Sequence, residues 1–355
     1  MHLTKPTLLI DEARCRKNIK KMAQKAKSSG SILRPHFKTH HSAEIGNWFR
    51  DFEVSACTAS SVSMAEYFAK NGWNDITIAF PFNPLEAEEI SRIAKTTTLN
   101  ILIESAESLR LANEKIQHPV GYFLKIDIGT HRTGIGPANI PLIETLVNAS
   151  SKKVNFRGFL AHAGHTYYSS QNEIEKIFKE SGIILGRLKS QFGGIISYGD
   201  TPSCSMMNDL SAFDEIRAGN FVFYDWMQKI IGSCQVQDIS VCLACPVVAI
   251  HEERNEVVVY GGGVHLSKEQ MLESGEKCFG KAVSLTENGW GDEIIGTVTK
   301  LSQEHGLIRI NDARITRIKT GDLIGVIPVH SCLAADLQGH YYTTKGQKIE
   351  KIIKE

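Results

Sequence analysis

The chain has 355 residues, too long for one small core and long enough for two domains or one large barrel with an appendage. Forty Lys and Arg against 39 Asp and Glu leave a formal charge of +1, so no global field favours nucleic acid or an anionic membrane, and the expected partner is a small molecule. The cysteines, at 15, 57, 204, 234, 242, 245, 278 and 332, lack the even spacing of a secreted disulfide scaffold, and no stretch approaches ~18 uninterrupted apolar residues; a soluble protein of the reduced cytoplasm is expected.

From Asp11 to Gly30 apolar and charged residues fall at helical spacing, with Asp11 placed to cap the first turn and Gly30 to end the last. Short apolar runs then alternate with amphipathic stretches. LRPHFKT (33–39) is followed by VSACTA (54–59), DITIAF (75–80), LNILIES (99–105), GYFLKIDIG (121–129), NFRGFLAHAG (155–164), GGIISYGD (193–200) and DEIRAGNFVFYD (214–225). Apolar strands bracketed by helices imply a parallel sheet, and eight such units are the number that closes a (β/α)8 barrel of the TIM type. An open doubly wound sheet binding a dinucleotide would place a glycine-rich turn after its first strand, and RPHFKTHH has no glycine.

Beyond about residue 235 the pattern becomes valine-rich alternation, in VCLACPVVAIHEERNEVVVYGGG, IIGTVTKLSQEHGLIRI and RIKTGDLIGVIPVH, with turns at Glu253–Arg254–Asn255, Asn311–Asp312 and Gly321–Asp322. The expectation is a barrel over 10–234 and a mostly antiparallel all-β domain over 235–355, the latter joined by residues 1–9. The end, KGQKIEKIIKE, reads as a solvated terminus or a short edge strand.

In a barrel the active site lies at the C-terminal ends of the strands, and here those ends are polar. The first run closes on Lys38, Thr39, His40 and His41, the fifth on Asp127, Gly129, His131 and Arg132, and the sixth on His162, His165, Thr166 and Tyr167. The seventh closes on Gly199, Asp200, Thr201 and Pro202, and the eighth on Arg217, Gly219, Asn220 and Tyr224. GDTPS and RAGN supply free amides and a hydroxyl where barrels commonly hold a phosphate, with Asp200 expected to cap the helix that follows. A buried strand-end lysine facing a phosphate suggests Schiff-base chemistry with pyridoxal phosphate, which needs an amine of lowered pKa.

RPHFKTHH, DIGTHRTGIG, GFLAHAGHTY, GDTPS and IRAGNFVFYD resemble, in order, the signatures of the fold-type III pyridoxal phosphate enzymes, the alanine racemase-like barrels. Within that group the chain is similar to the branch of D-threonine aldolase and eukaryotic-type D-serine dehydratase. The resemblance implies that Lys38 carries pyridoxal 5'-phosphate and then acts as the base on the substrate α-proton. It implies that Arg132 contacts the ring's phenolic oxygen and that His162 and Tyr167 line the ring, with Tyr167 a candidate for the pyridine nitrogen. Gly199, Thr201, Gly219, Asn220 and Tyr224 are implied as the phosphate site.

In PVHSCLAADL (328–337), His330 and Cys332 are two apart, hence on one face of a strand, where imidazole and thiolate could share a Zn2+. A structural zinc site wants four ligands, and H-x-C alone is a weak signal. D-threonine aldolases carry H-x-D at the resembling position and D-serine dehydratases carry H-x-C, as here. Open metal positions suit catalysis, because they accept the substrate's carboxylate or hydroxyl. His305, in QEHG, is either a proton-transfer group of the same pocket or a β-turn histidine. Gly261–Gly263, followed by His265, depart from the relatives' motif and admit a close backbone approach, to substrate or to a second subunit.

The expected activity is elimination of the β-hydroxyl from a D-3-hydroxy amino acid, giving an oxo acid and ammonia, with a divalent metal, expected to be zinc, assisting. The alternatives are retro-aldol cleavage to glycine and an aldehyde, racemisation, and non-catalytic binding of pyridoxal phosphate. The resemblance implies a homodimer with the active site near the interface.

Overall fold

The computed structural model describes residues 2–353, in two compact units. One comprises Lys20–Lys38 and Gly46–Gly219; the other takes the residues up to Ile19, Thr39–Ile45, and those from Asn220 onward. The helix foreseen near the N-terminus spans Glu12–Ser28, with the Asp11 Oδ1 accepting from the Arg14 N–H at 3.0 Å and Gly30 following at φ +72°.

After β1 (Thr7–Ile10), which belongs to the β unit, the eight expected barrel strands follow in order. They are β2 (Ile32–Leu33), β3 (Cys57–Ala59), β4 (Asp75–Pro81), β5 (Thr98–Ile103), β6 (Val120–Lys125), β7 (Val154–Ala161), β8 (Ile195–Tyr198) and β9 (Glu215–Ile216). All pair in parallel, in the order β2-β9-β8-β7-β6-β5-β4-β3, and a parallel bridge between His36 and Thr58 closes the ring. Pro35 has no N–H to donate, which keeps β2 short; the Thr58 N–H instead donates to the Pro35 carbonyl at 2.9 Å. Ser61, Ser105, Ser170 and Asp200 each cap the helix that follows a strand, so side-chain oxygens take up amides where the chain turns over the barrel's C-terminal end. The expected capping role of Asp200 is thus observed.

The barrel is pinned by a buried ion network. The Arg34 guanidinium donates to Glu215 Oε1 at 2.8 and 3.0 Å and to both Asp75 carboxylate oxygens at 2.7 and 2.9 Å, tying the first residues of β4 and β9 to the end of β2. Arg34 and Glu215 are both almost wholly buried.

The second unit is antiparallel, as its alternating sequence requires, except where β1 pairs in parallel with the strand His340–Thr343. Its strands are β10 (Val241–His251), β11 (Glu256–Tyr260), β12 (Met271–Glu273), β13 (Glu276–Cys278), β14 (Gly280–Thr286), β15 (Gly289–Leu301), β16 (His305–Ile310), β17 (Leu323–Pro328), β18 (His340–Thr343) and β19 (Lys348–Glu350). The order β11-β16-β15-β14-β17-β10 returns to β11 through β10, making a small closed barrel from which β1, β18 and β19 extend. The C-terminal stretch supplies β19 as an edge strand on His340–Tyr342; residues 354 and 355 lie outside the described residues.

Two sequence expectations change here. His330 and Cys332 do not share a strand face, because β17 ends at Pro328 and Ser331–Leu337, rich in the helix formers Ala and Leu, winds into a helix with His330 at its N-cap position. The close approach at the triple glycine is to the unit's own chain: a Cβ on Gly262 would lie 2.3 Å from the Gln303 carbonyl oxygen, and one on Gly261 2.4 Å from Cys245 Sγ.

Replacing Glu215 by Ala removes one carboxylate from a guanidinium that stays buried, with Asp75 left as its partner. The expected cost is about 3 kcal/mol in unfolding free energy, read from urea denaturation with unchanged m-value.

Candidate active site

Lys38 lies in a single 3-10 turn, Phe37–Thr39, at the end of the first barrel segment. Phe37 beside it is fully buried, with ring centroids 4.8 Å from Phe68, 4.8 Å from Trp73 and 5.2 Å from Phe49. The backbone is therefore anchored while the lysine itself is exposed. This corrects the expectation of a buried residue: Lys38, on the turn that ends the strand, is exposed.

At the end of β7, His162 is placed with its Nδ1 2.5 Å from the Gly199 carbonyl oxygen at the end of β8. A carbonyl can only accept, so Nδ1 carries the hydrogen and Nε2 is left bare. Burial, then the positive fields of Lys38, Arg217 and Arg132, outweigh that hydrogen bond and press the imidazole down to about 3, so it is neutral at physiological pH. The same three cations thus converge on His162. Arg132 itself is exposed, on a loop held by Asp127, whose Oδ1 accepts the Gly129 and His131 N–H groups at 3.0 and 3.1 Å.

Arg217 is buried in the barrel, with Nε donating to Ser197 Oγ at 2.8 Å and Nη2 to the Ala161 carbonyl at 2.5 Å. Burial lowers it to about 10, which leaves it protonated. Lys125, at the end of β6, is buried too, its Nζ donating to the Ile126 carbonyl at 2.9 Å; burial and then Arg217 push it down to about 8. Arg217 is among the strand-end residues named from sequence, without a role; Lys125 is not. A lone Lys in the apolar run GYFLKIDIG, and an Arg among the apolar residues of the last strand, were the available signals.

Among the phosphate candidates, Gly199 permits β8 and β9 to close up, since a Cβ there would lie 2.7 Å from the Arg217 carbonyl carbon. Thr201 is buried, and its Oγ1 has no hydrogen-bond partner. A buried unpartnered hydroxyl, a reachable primary amine and a concentration of cations around a neutral imidazole fit pyridoxal phosphate, an aldehyde carrying an anionic phosphate and a flat ring. Tyr167 lies on the 3-10 turn Gly164–Tyr168 and Gly219 just after β9.

The remaining candidates fall in the β unit. Tyr224 is buried at φ +49°, its N–H donating to the Asn220 carbonyl at 2.7 Å. The Asn220 Nδ2 donates to Asp225 Oδ2 at 2.6 Å and Ser331 Oγ at 3.0 Å, and lies 3.5 Å from Cys332 Sγ. Cys332 Sγ also meets Thr39 Oγ1 at 3.4 Å, and Thr39 is the residue after Lys38. Burial pulls the His330 imidazole down, but its hydrogen bond to Cys332 and that thiol's charge outweigh it and raise it to about 9. Burial in turn raises the Cys332 thiol, and the His330 partner more than offsets that, leaving it below its ordinary value. The pair sets a thiol of lowered pKa against an imidazole, the donor set a soft divalent ion takes once both have released their protons. Among the described residues no three His, Cys, Asp or Glu are arranged around one metal position. His305 is exposed at the start of β16, opposite Tyr260, and His265 Nε2 lies 3.8 Å from Glu304 Oε2.

The alanine racemase N-terminal domain profile matches residues 10–225, and that of the putative serine dehydratase domain matches residues 240–344. The chain belongs to the alanine racemase N-terminal domain family. It is a fold-type III pyridoxal phosphate enzyme of the D-serine dehydratase branch, a lyase. It is 31% identical to D-serine dehydratase of Dictyostelium discoideum, over 96% of this chain and 93% of that one. D-threo-3-hydroxyaspartate dehydratase of Delftia sp. is 25% identical over 93% of this chain and 91% of its own. The solved structure of that enzyme superposes with a TM-score of 0.87 at 23% identity, covering 99% and 98% of the two chains. An alanine racemase-like protein from Idiomarina loihiensis gives 0.90 at 25%, covering 100% and 98%. Among the described residues no helix of this family member is long and apolar enough to cross a membrane.

Lys125 supplies a test of this electrostatic reading. Its folded value of about 8 lies below the ordinary 10.5, so below pH 8 the folded state bears the full cost of a buried charge. Between those values the unfolded chain binds the proton that the folded chain has released, and stability rises with pH. Lys125→Met is expected to stabilise the cofactor-free protein by about 3 kcal/mol at pH 7, with the pH-dependent part of that gain vanishing by pH 10.5, measured by urea denaturation across the range.

Proposed function

We propose that the protein is a metal-assisted D-serine dehydratase-like lyase, converting a D-3-hydroxy amino acid to an oxo acid and ammonia. The observation that carries this reading is the pairing of a thiol with an imidazole at Cys332 and His330, where the aldolase pattern has a carboxylate in place of the thiol. The relatives support it: Dictyostelium discoideum and Schizosaccharomyces pombe proteins of matching length are D-serine dehydratases. Solved forms of the Delftia enzyme include variants replacing a His and a Cys two positions apart, the cysteine variant being described as metal-free.

Lys38 would hold pyridoxal phosphate at its aldehyde end, with Thr201 and Gly199 at the phosphate and His162 and Tyr167 at the ring. Bound there, the cofactor supplies an electron sink for the α-carbon. Lys38 Nζ, exposed on a rigid turn, takes the α-proton. The Arg217 guanidinium, fixed by Ser197 and Ala161, presents a permanent positive charge in the barrel, and Arg132 a second at its mouth. His162, neutral and locked by the Gly199 carbonyl, offers an uncharged face to the ring. His330 and Cys332 would hold a divalent ion, here taken as Zn2+, that supplies Lewis acidity toward the departing β-hydroxyl. His305 is a second proton-transfer candidate, and a homodimer in the cytoplasm is the assembly we assign.

A product assay decides the reaction. D-Serine should give pyruvate and ammonia, with D-threo-3-hydroxyaspartate as the second substrate to try; glycine and an aldehyde from D-threonine, without oxo acid, would turn the assignment to an aldolase. Lys38→Ala should lower turnover by roughly a thousandfold and abolish the absorbance of the lysine-bound cofactor. Removing metal with a chelator should suppress oxo-acid formation, and Zn2+ should restore it, while cofactor absorbance persists.

A further inference from the structure

Asp225, the last residue of IRAGNFVFYD, lies outside the residues assigned above to cofactor or metal, yet it is 1% exposed and accepts four hydrogen bonds. Its Oδ1 takes the Gln228 N–H at 2.9 Å and caps a short helix. Its Oδ2 takes Asn220 Nδ2 at 2.6 Å, the Ser331 N–H at 2.9 Å and Ser331 Oγ at 3.1 Å. Three of these donors flank the sulfur of Cys332: Ser331 precedes it in the chain, and Asn220 Nδ2 is 3.5 Å from Sγ.

A carboxylate can only accept, so it decides which end of the Asn220 amide faces it, and thereby which end faces the sulfur. With Asp225 present the NH2 end points to both. We propose that Asp225 is a positioning residue for the metal site: it orients the Asn220 amide as a donor to the Cys332 sulfur and fixes the turn at Ser331 that aims the sulfur. This rests on the reading of His330 and Cys332 as metal ligands. A donor toward sulfur stabilises the thiolate and leaves its remaining lone pairs to the ion, the role that partners behind the ligands fill in metal sites generally.

Asp225→Asn leaves one acceptor oxygen where the carboxylate has two, with almost no change of volume. With that oxygen toward Asn220 and Ser331 the new NH2 opposes the Gln228 N–H, and with it toward Gln228 the NH2 opposes Asn220 and Ser331, so either orientation loosens the anchor of the Asn220 amide and the Ser331 turn. Asn220→Ala removes the donor and leaves the bonds between Asp225 and Ser331 in place.

The experiment titrates metal-depleted wild-type, Asp225→Asn, Asn220→Ala and Cys332→Ala proteins with Co2+, reading the near-ultraviolet sulfur-to-cobalt charge-transfer band and the dissociation constant. Wild type should show the band and Cys332→Ala should lack it. Asp225→Asn should bind ~10–100-fold more weakly with a displaced band, and Asn220→Ala should fall between it and wild type. A normal wild-type band with affinity and band position unchanged in both Asp225→Asn and Asn220→Ala overturns the role of Asp225 alone. A wild type without the band overturns the metal reading, and this inference with it. Should Asp225→Asn not fold, Asn220→Ala decides: unchanged affinity refutes the proposal, and a weakened, displaced signal supports it.

Discussion

A guanidinium buried in the barrel on neutral acceptors is the constraint around which the catalytic end is arranged. Arg217 donates to a serine hydroxyl and a main-chain carbonyl, and burial lowers its pKa without discharging it. The contrast is Arg34, equally buried, which meets the carboxylates of Glu215 and Asp75 and is held above its ordinary range. Glu215 serves both: hydrogen-bonded to Arg34, it lends Arg217 a favourable field at longer range. One arginine is neutralised within the fold and braces it. The other keeps much of its field, together with Lys125, Lys38 and Arg132, and the price is a cluster of like charges that an anionic ligand would relieve. Stability and ligand binding are therefore coupled at this end of the barrel.

The β unit solves the opposite problem. His330 and Cys332 share a proton so that each compensates the other's burial, with the imidazole raised and the thiol lowered. A metal ion must displace the imidazole proton, so affinity falls as pH drops into the range where His330 is protonated. What keeps the sulfur aimed during that exchange is a set of hydrogen bonds among the Asp225 carboxylate, Asn220, Ser331 and Thr39, none of which has to change charge.

The barrel was legible because its strands are buried on both faces and read as continuous apolar runs, and because polar residues close each of them. The β unit was legible through strict alternation. Less readable were positions set by local backbone geometry. Lys38 reads as a buried strand-end residue, but it sits exposed on the turn Phe37–Thr39, and no propensity in RPHFKTHH announces that turn. His330 and Cys332 read as neighbours on a strand because IGVIPV runs straight into them, yet Pro328 ends the strand and the alanines downstream start a helix. Asp225 and Lys125 were invisible as site residues for another reason. Their roles depend on partners far off in the chain, Ser331 for the one and Arg217 for the other, and sequence spacing carries no trace of such contacts.

The stretch around Lys38 also shows how the backbone beneath a reactive side chain is held. On its N-terminal side Phe37 is gripped by three aromatic rings of the barrel unit. On its C-terminal side, in the other unit, the His40 carbonyl accepts from the Tyr341 hydroxyl at 2.8 Å and the His41 carbonyl from the Ile352 N–H at 2.8 Å. His41 is a non-glycine residue at φ +53°, a conformation that persists only where its surroundings fix it. Anchored on both sides, the backbone of Lys38 has little freedom to lose when its amine engages a ligand. The ordering cost is then confined to the lysine side chain, which is what fixing a nucleophile in near-attack geometry demands.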